Sequence, residues 1–239
     1  MRDLNMTSPQ STHRFAIFNG TTEDNALKHF YRLGGNDAKP LWSGTPYAEW
    51  LEVMPFIADV THLSAFTEWE AQQAPEDWGI LVSSDSTMAD AFAHFRSLTQ
   101  VWMPSGSHSF FRFYDPRFSL TVAEFCDDEQ RAQMMGPCQT WQSKGKEIIN
   151  VTPIKHADEK PFPWWNVPKA VVQKITDTDK TTLITNSVKW LRENHADLYF
   201  YYPESTLQAK ITRLVTRHKE EHGSLNQFLK MSLDKEVYR

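Results

Sequence analysis

Trp78-Gly79-Ile80-Leu81-Val82 is a short, unbroken apolar run, closed by Ser83-Ser84-Asp85-Ser86 and followed at once by Thr87-Met88-Ala89-Asp90-Ala91-Phe92-Ala93-His94-Phe95-Arg96-Ser97-Leu98-Thr99. A run of this length predicts a strand that a sheet buries on both faces. After it, Met88, Ala91, Phe92, Phe95, Leu98 and Thr99 recur at three- and four-residue spacing, and Ser86 or Thr87 can cap the first turn. A buried strand feeding an amphipathic helix predicts an α/β fold in which the helix lays its apolar stripe on the sheet.

Towards the N-terminus, Thr12–Asn19 reads as a strand ended by Gly20, and Asn25–Leu33 as a helix stopped by Gly34-Gly35. Pro40–Tyr47 reads as a loop and Phe56–Val60 as a second strand. Towards the C-terminus, Pro104–Ser107 is a turn, and Ser109–Tyr114 has the aromatic bias of a strand cut off by Asp115-Pro116. Leu120–Phe125 and Asp127–Met135 read as helices, the second terminated by Gly136-Pro137. These elements predict an α/β lobe with a small mixed sheet over residues 12–141.

From 142 to 168 the texture changes to a short strand-like Ile148–Val151, then Pro153, Pro161, Pro163 and Pro168 around Trp164-Trp165. Proline at that density excludes regular helix and marks a connection between lobes. Residues 169–239 form a smaller all-helical lobe, with helices over 168–175, 180–195, 204–222 ended by Gly223, and 225–233.

Among 239 residues, 40% are apolar and 13% aromatic, enough to build a core and to exclude disorder for most of the chain. No run approaches the ~20 apolar residues of a bilayer span. Met1–Gln10 mixes charges and polar groups where a secretory signal has an apolar core, so a cytoplasmic location is expected. Cys126 and Cys138 lie twelve positions apart with no Cys-x-x-Cys spacing and read as packing residues.

The net charge of −5 argues against a general nucleic-acid binder. It averages an acidic first part, with 11 Lys or Arg against 19 Asp or Glu up to residue 150, and a second part with 14 against 11. Between Pro40 and Phe95 there is no cation, but there are nine acids. That stretch suits a basic partner or is simply a solvated face. Its Glu68, Glu70, Glu76 and Asp77 are candidate partner-binding residues. So are Trp164 and Trp165, because adjacent residues of an extended segment cannot both face one core; packing between lobes is the alternative.

His218-Lys-Glu-Glu-His222 matches the H-x-x-E-H pattern in which two imidazoles at i and i+4 hold zinc and the preceding Glu acts as base. A metal-dependent hydrolase using His218, Glu221 and His222 is therefore the alternative function, but His and Lys in a last helical turn also answer the helix dipole. Ser105-Gly-Ser-His-Ser109 lacks the G-x-S-x-G elbow, Asp127-Asp128-Glu129 reads as a helix start, and Gly34-Gly35 is no phosphate loop. No constellation supports catalysis, and no cofactor or metal is expected.

Phe111-Arg112-Phe113-Tyr114-Asp115-Pro116-Arg117 is more specific. As a strand it puts Phe111 and Phe113 on one face and Arg112 with Tyr114 on the other, with Asp115 able to cap the turn at Pro116 and to receive Arg112 or Arg117. That describes a structural corner. Together with the strand and helix before it and Gly136-Pro137 after it, this string resembles the adaptor or chaperone family of bacterial type VI secretion systems, over about Thr12–Trp141. The resemblance implies a non-catalytic cytoplasmic adaptor that binds a cognate toxic effector and the C-terminal region of a spike protein and loads one onto the other, with no nucleic acid and no stable membrane association. An immunity protein that neutralises a toxin is a further alternative.

Overall fold

A computed structural model describes residues 12–178, 180–218 and 223–238. The chain divides into two compact units, the first ending at Val172 and the second beginning at Gln173.

The first unit is built on a six-stranded sheet: β1 (His13–Phe18), β2 (Ala38–Pro40), β3 (Phe56–Asp59), β4 (Gly79–Ser84), β7 (Thr140–Ser143) and β8 (Lys146–Ile149), in the order β2-β3-β1-β4-β7-β8. Every ladder in it is antiparallel, where a mixed sheet was expected. The α/β class stands. The continuous apolar runs of β1 and β4 come from burial on both faces, which helices on either side of an antiparallel sheet supply as well as parallel crossovers do. In β1, Phe15 and Ile17 point to one face and Ala16 and Phe18 to the other, and all four are buried. Opposite them, Val82 pairs with Phe15 and Ile80 with Ile17.

On one face, α1 (Ala26–Arg32) and α2 (Ser64–Gln72) bring Phe30, Phe66 and Trp69 onto Phe18 and Trp78. Phe18 lies 5.4 Å from Phe30 and 5.7 Å from Phe66, ring to ring. On the other face, α3 (Met88–Ser97) presents Phe95, which stacks on Trp141 at 5.5 Å and meets Phe113 at 5.3 Å. Thr87 caps α3, its hydroxyl accepting from the Asp90 N–H in a capping box. Ser86, the other candidate cap, instead donates to the Lys155 carbonyl at 2.8 Å.

Further along are a two-stranded ribbon, β5 (Gln100–Trp102) with β6 (His108–Phe110), and the helices α4 (Pro116–Phe125), which packs on β7 and β8, and α5 (Asp128–Met135). The expected strand over Ser109–Tyr114 stops at Phe110. The Phe113 N–H donates to the Phe111 carbonyl and that of Asp115 to the Arg112 carbonyl, so the chain turns twice before α4. Residues 142–168, read as a connection, supply β8 and then pack within the first unit, with Trp165 and Val167 buried.

The second unit gathers α7 (Thr181–Asn194), α8 (Ala196–Tyr201), α9 (Glu204–Arg217) and α10 (Leu225–Val237) around Leu191, Leu198, Leu207, Ile211, Val215, Leu229 and Leu233. α6 (Lys169–Thr178) runs across the division. The helix expected to reach His222 ends at Arg217, with His218 extended at ψ 137°.

Candidate functional site

The corner at 111–117 is organised by Asp115, whose side chain is 1% exposed. Asp115 caps α4 by accepting from the Arg117 N–H at 3.1 Å, and Pro116 at the first helical position needs no partner for a missing N–H. The same carboxylate takes a fork from Arg117, Nε to Oδ1 at 2.9 Å and Nη2 to Oδ2 at 2.8 Å. Arg117 reaches on to Asp77 at 3.5 Å. Arg112 stands farther from Asp115, at 3.9 Å, and lies over the Phe118 ring at the same distance. Because the segment turns, Phe111, Phe113 and Tyr114 are all buried, and the alternation of two faces expected for a strand is absent.

Gly136-Pro137 closes a second junction. Gly136 has φ +57°, and a Cβ there would lie 2.4 Å from the His94 ring. His94 Nε2 meets the Met134 carbonyl at 2.8 Å, so the neutral ring donates there. Burial pushes its pKa down to about 4, against a partly opposing hydrogen bond to Met134 and with help from Lys160. The Gly136 carbonyl accepts from Asn150 Nδ2 and the Ile154 N–H, and the Pro137 carbonyl from Ser84 Oγ at 2.6 Å. These bonds join α5 to β4 and to the strand end after β8.

The candidate partner-binding residues fall in different places. Trp165 is 2% exposed and packs against Phe111, which removes it from any free surface. Trp164 is half-buried beneath the Lys160 ammonium at 3.8 Å and lines a groove of about 590 Å³ with His94, Glu129 and His156. Glu70 is buried and accepts from the Lys144 N–H at 3.0 Å, so it orders the β7–β8 turn and cannot meet a partner. Asp77 is committed to Arg117. Glu68 and Glu76 are exposed.

Asp90, another acid of the cation-free stretch, is likewise internal. Burial alone would raise its carboxyl, but hydrogen bonds from the Thr87 hydroxyl, the Ala157 and Thr87 N–H groups and His156 hold it below the usual carboxylate range.

Glu221 and His222 lie outside the described residues. His218 caps α9 in an extended conformation, with Nε2 3.0 Å from the Gly223 carbonyl. Among the described residues, no three His, Cys, Asp or Glu side chains group as a metal site would. Burial pushes the Cys138 thiol up to about 12, which suits packing and not nucleophilic attack. In the 105–109 turn, the Ser105 and Ser107 hydroxyls bond to each other, and the His108 ring packs edge-on to Trp102.

A surface that the sequence reading did not single out stands beside the corner. Buried Trp42 contacts Tyr114 of the corner at 6.3 Å, and also Tyr47, Trp50 and Phe110. Tyr47 lies 4.7 Å from Phe110 and 5.1 Å from Trp50, with its hydroxyl held by Gln100 Nε2 at 2.7 Å. The outer members are open to solvent: Trp50 is 48% exposed, Phe110 37% and Leu51 70%. Exposed Glu49 and Glu52 flank Trp50-Leu51 in the chain. Rigid aromatic rings packed edge-on and tilted at a surface, with acids beside them in the chain, are suited to binding protein, since they offer apolar area at little entropic cost. The signal in the sequence was Ala48-Glu49-Trp50-Leu51-Glu52-Val53, apolar residues interleaved with acids directly after a proline- and glycine-containing loop.

A family model described as Domain of unknown function (DUF4123) matches residues 14–133, just over half of the chain and including the Phe111–Arg117 corner and the aromatic surface. No curated protein and no solved structure matches. The chain therefore belongs to the family described as Domain of unknown function (DUF4123).

Proposed function

We propose that this chain is a non-catalytic cytoplasmic adaptor that binds a toxic effector and loads it onto the C-terminal region of a type VI secretion spike protein. Membership of the family is compatible with that role. The observation that carries the reading is the exposed aromatic shelf of Trp50 and Phe110, braced by Tyr47 and Trp42, with exposed Glu49, Leu51 and Glu52 next to Trp50 in the chain. Apolar rings held in place before contact are what a protein-binding hot spot requires. No helix among the described residues is long and apolar enough to cross a membrane. Affinity capture of the tagged full chain from its native host, under low salt and with effectors expressed, tests the reading. Recovery of both a spike protein and an effector is the expected outcome; recovery of neither contradicts it.

A further inference from the structure

The two edges of the ribbon beside the shelf differ: β5 is tied to the chain at Trp102, and among the described residues β6 is not tied. In the β5–β6 register, Gln100 faces Phe110, Val101 faces Ser109 and Trp102 faces His108. The Phe111 N–H donates to the Thr99 carbonyl and that of Met103 to the Ser107 carbonyl, so the hydrogen-bonded pairs are 99 with 111, 101 with 109 and 103 with 107. The alternate residues therefore turn their backbone groups away from the ribbon. On the β5 side those of Trp102 are satisfied: its N–H donates to the Trp165 carbonyl at 2.8 Å, and its carbonyl accepts from the Val167 N–H at 2.9 Å.

On the β6 side the corresponding groups belong to His108 and Phe110. Among the described residues no backbone group pairs with them, and only the Ser109 hydroxyl approaches, 3.4 Å from the Phe110 carbonyl. All three residues of β6 are exposed. An open edge of this kind is a template for another strand. Phe110 belongs both to this edge and to the aromatic shelf, and the chain from Pro40 to Phe95 that carries Glu49 and Glu52 has no cation.

We propose that β6 is a docking edge on which an extended segment of a partner protein, carrying a Lys or Arg near an apolar side chain, pairs as the third strand of the ribbon. The backbone of the segment bonds to His108 and Phe110, its apolar side chain covers Trp50 and Phe110, and its cation faces Glu49 and Glu52. This rests on the reading of the chain as an adaptor and names where and how the cargo is held.

Amide hydrogen exchange on the full chain, alone and with the purified effector of its own secretion system, tests the proposal. In the free chain the amides of Ser109 and Phe111 exchange slowly and those of His108 and Phe110 quickly; in the complex the latter pair is expected to slow at least about tenfold. His108→Pro, which deletes an outward N–H and leaves the bonds to β5, and Trp50→Ala are each expected to weaken binding about tenfold or more. If His108→Pro fails to fold, the exchange comparison on the unaltered chain still decides. A complex that forms with unchanged exchange at His108 and Phe110 overturns the docking edge and leaves the adaptor reading intact. Absence of any complex overturns both. Protection that appears in the chain alone as its concentration rises assigns the edge to a second copy and also overturns the proposal.

Discussion

One carboxylate, that of Asp115, caps α4 and holds the Arg117 guanidinium in a fork. Asp115→Ala removes both and is expected to cost about 2–3 kcal/mol in denaturant unfolding; Asp115→Asn, which keeps a capping oxygen, should cost less. Gly136→Ala sets a Cβ 2.4 Å from the His94 ring at a φ of +57°, so a loss of about 1–3 kcal/mol is expected in the same measurement. His94 ties stability to pH. Its imidazole titrates near 6.5 when unfolded and at about 4 in the fold, so the unfolded chain takes up the proton first as pH falls. Its contribution is complete above about pH 6.5 and is lost towards pH 4, on the order of 3 kcal/mol in all. His94→Gln, which can still donate to the Met134 carbonyl, should flatten the slope of stability against pH in that window; an unchanged slope would show that other groups govern it. The corner is legible in the sequence as a string of residue types, with Arg112 and Arg117 both open as partners of Asp115; the fork goes to Arg117. The His94–Met134 bond was not visible, because a lone histidine carries no mark of a carbonyl forty residues away.

Among the elements, those with a full apolar period were legible. Phe95 of α3 illustrates this: it lies on the stripe read from the sequence and ends between Trp141 and Phe113. Phe95→Ala should therefore cost about 3–5 kcal/mol in thermal or denaturant unfolding. Less legible were short or weakly signalled elements. α2 follows Leu63, which offers no side-chain cap, and only Phe66 and Trp69 mark its apolar side. β5 has three residues between the end of α3 and Met103-Pro104, too few for a period to register. The string Ser109–Tyr114 has strand composition throughout, yet it turns after Phe110, because burying Phe113, Tyr114 and Asp115 together requires a chain that bends. For α9, the run of helix-forming residues continues past Arg217, but the backbone at His218 is extended.

Across the whole molecule, the charge asymmetry read from the sequence is only partly a surface property. Glu70 and Asp90 are internal and Asp77 is paired with Arg117, leaving Glu49, Glu52, Glu68 and Glu76 among the exposed acids. If the exposed ones steer a basic partner segment, association should slow about tenfold as salt rises from low to several times physiological concentration, with a smaller change in dissociation. Stopped-flow rates across a salt series check this; salt-independent association would leave these acids as a solvated face. The proposed role requires that another protein be held on the aromatic shelf of Trp50 and Phe110. Calorimetric titration of the purified full chain, and of its Trp50→Ala variant, with the effector of its secretion system tests that most directly. A stoichiometric complex is expected with the unaltered chain, and at least about tenfold weaker binding by an equally stable variant. No complex, or equal affinity for both, would contradict that role.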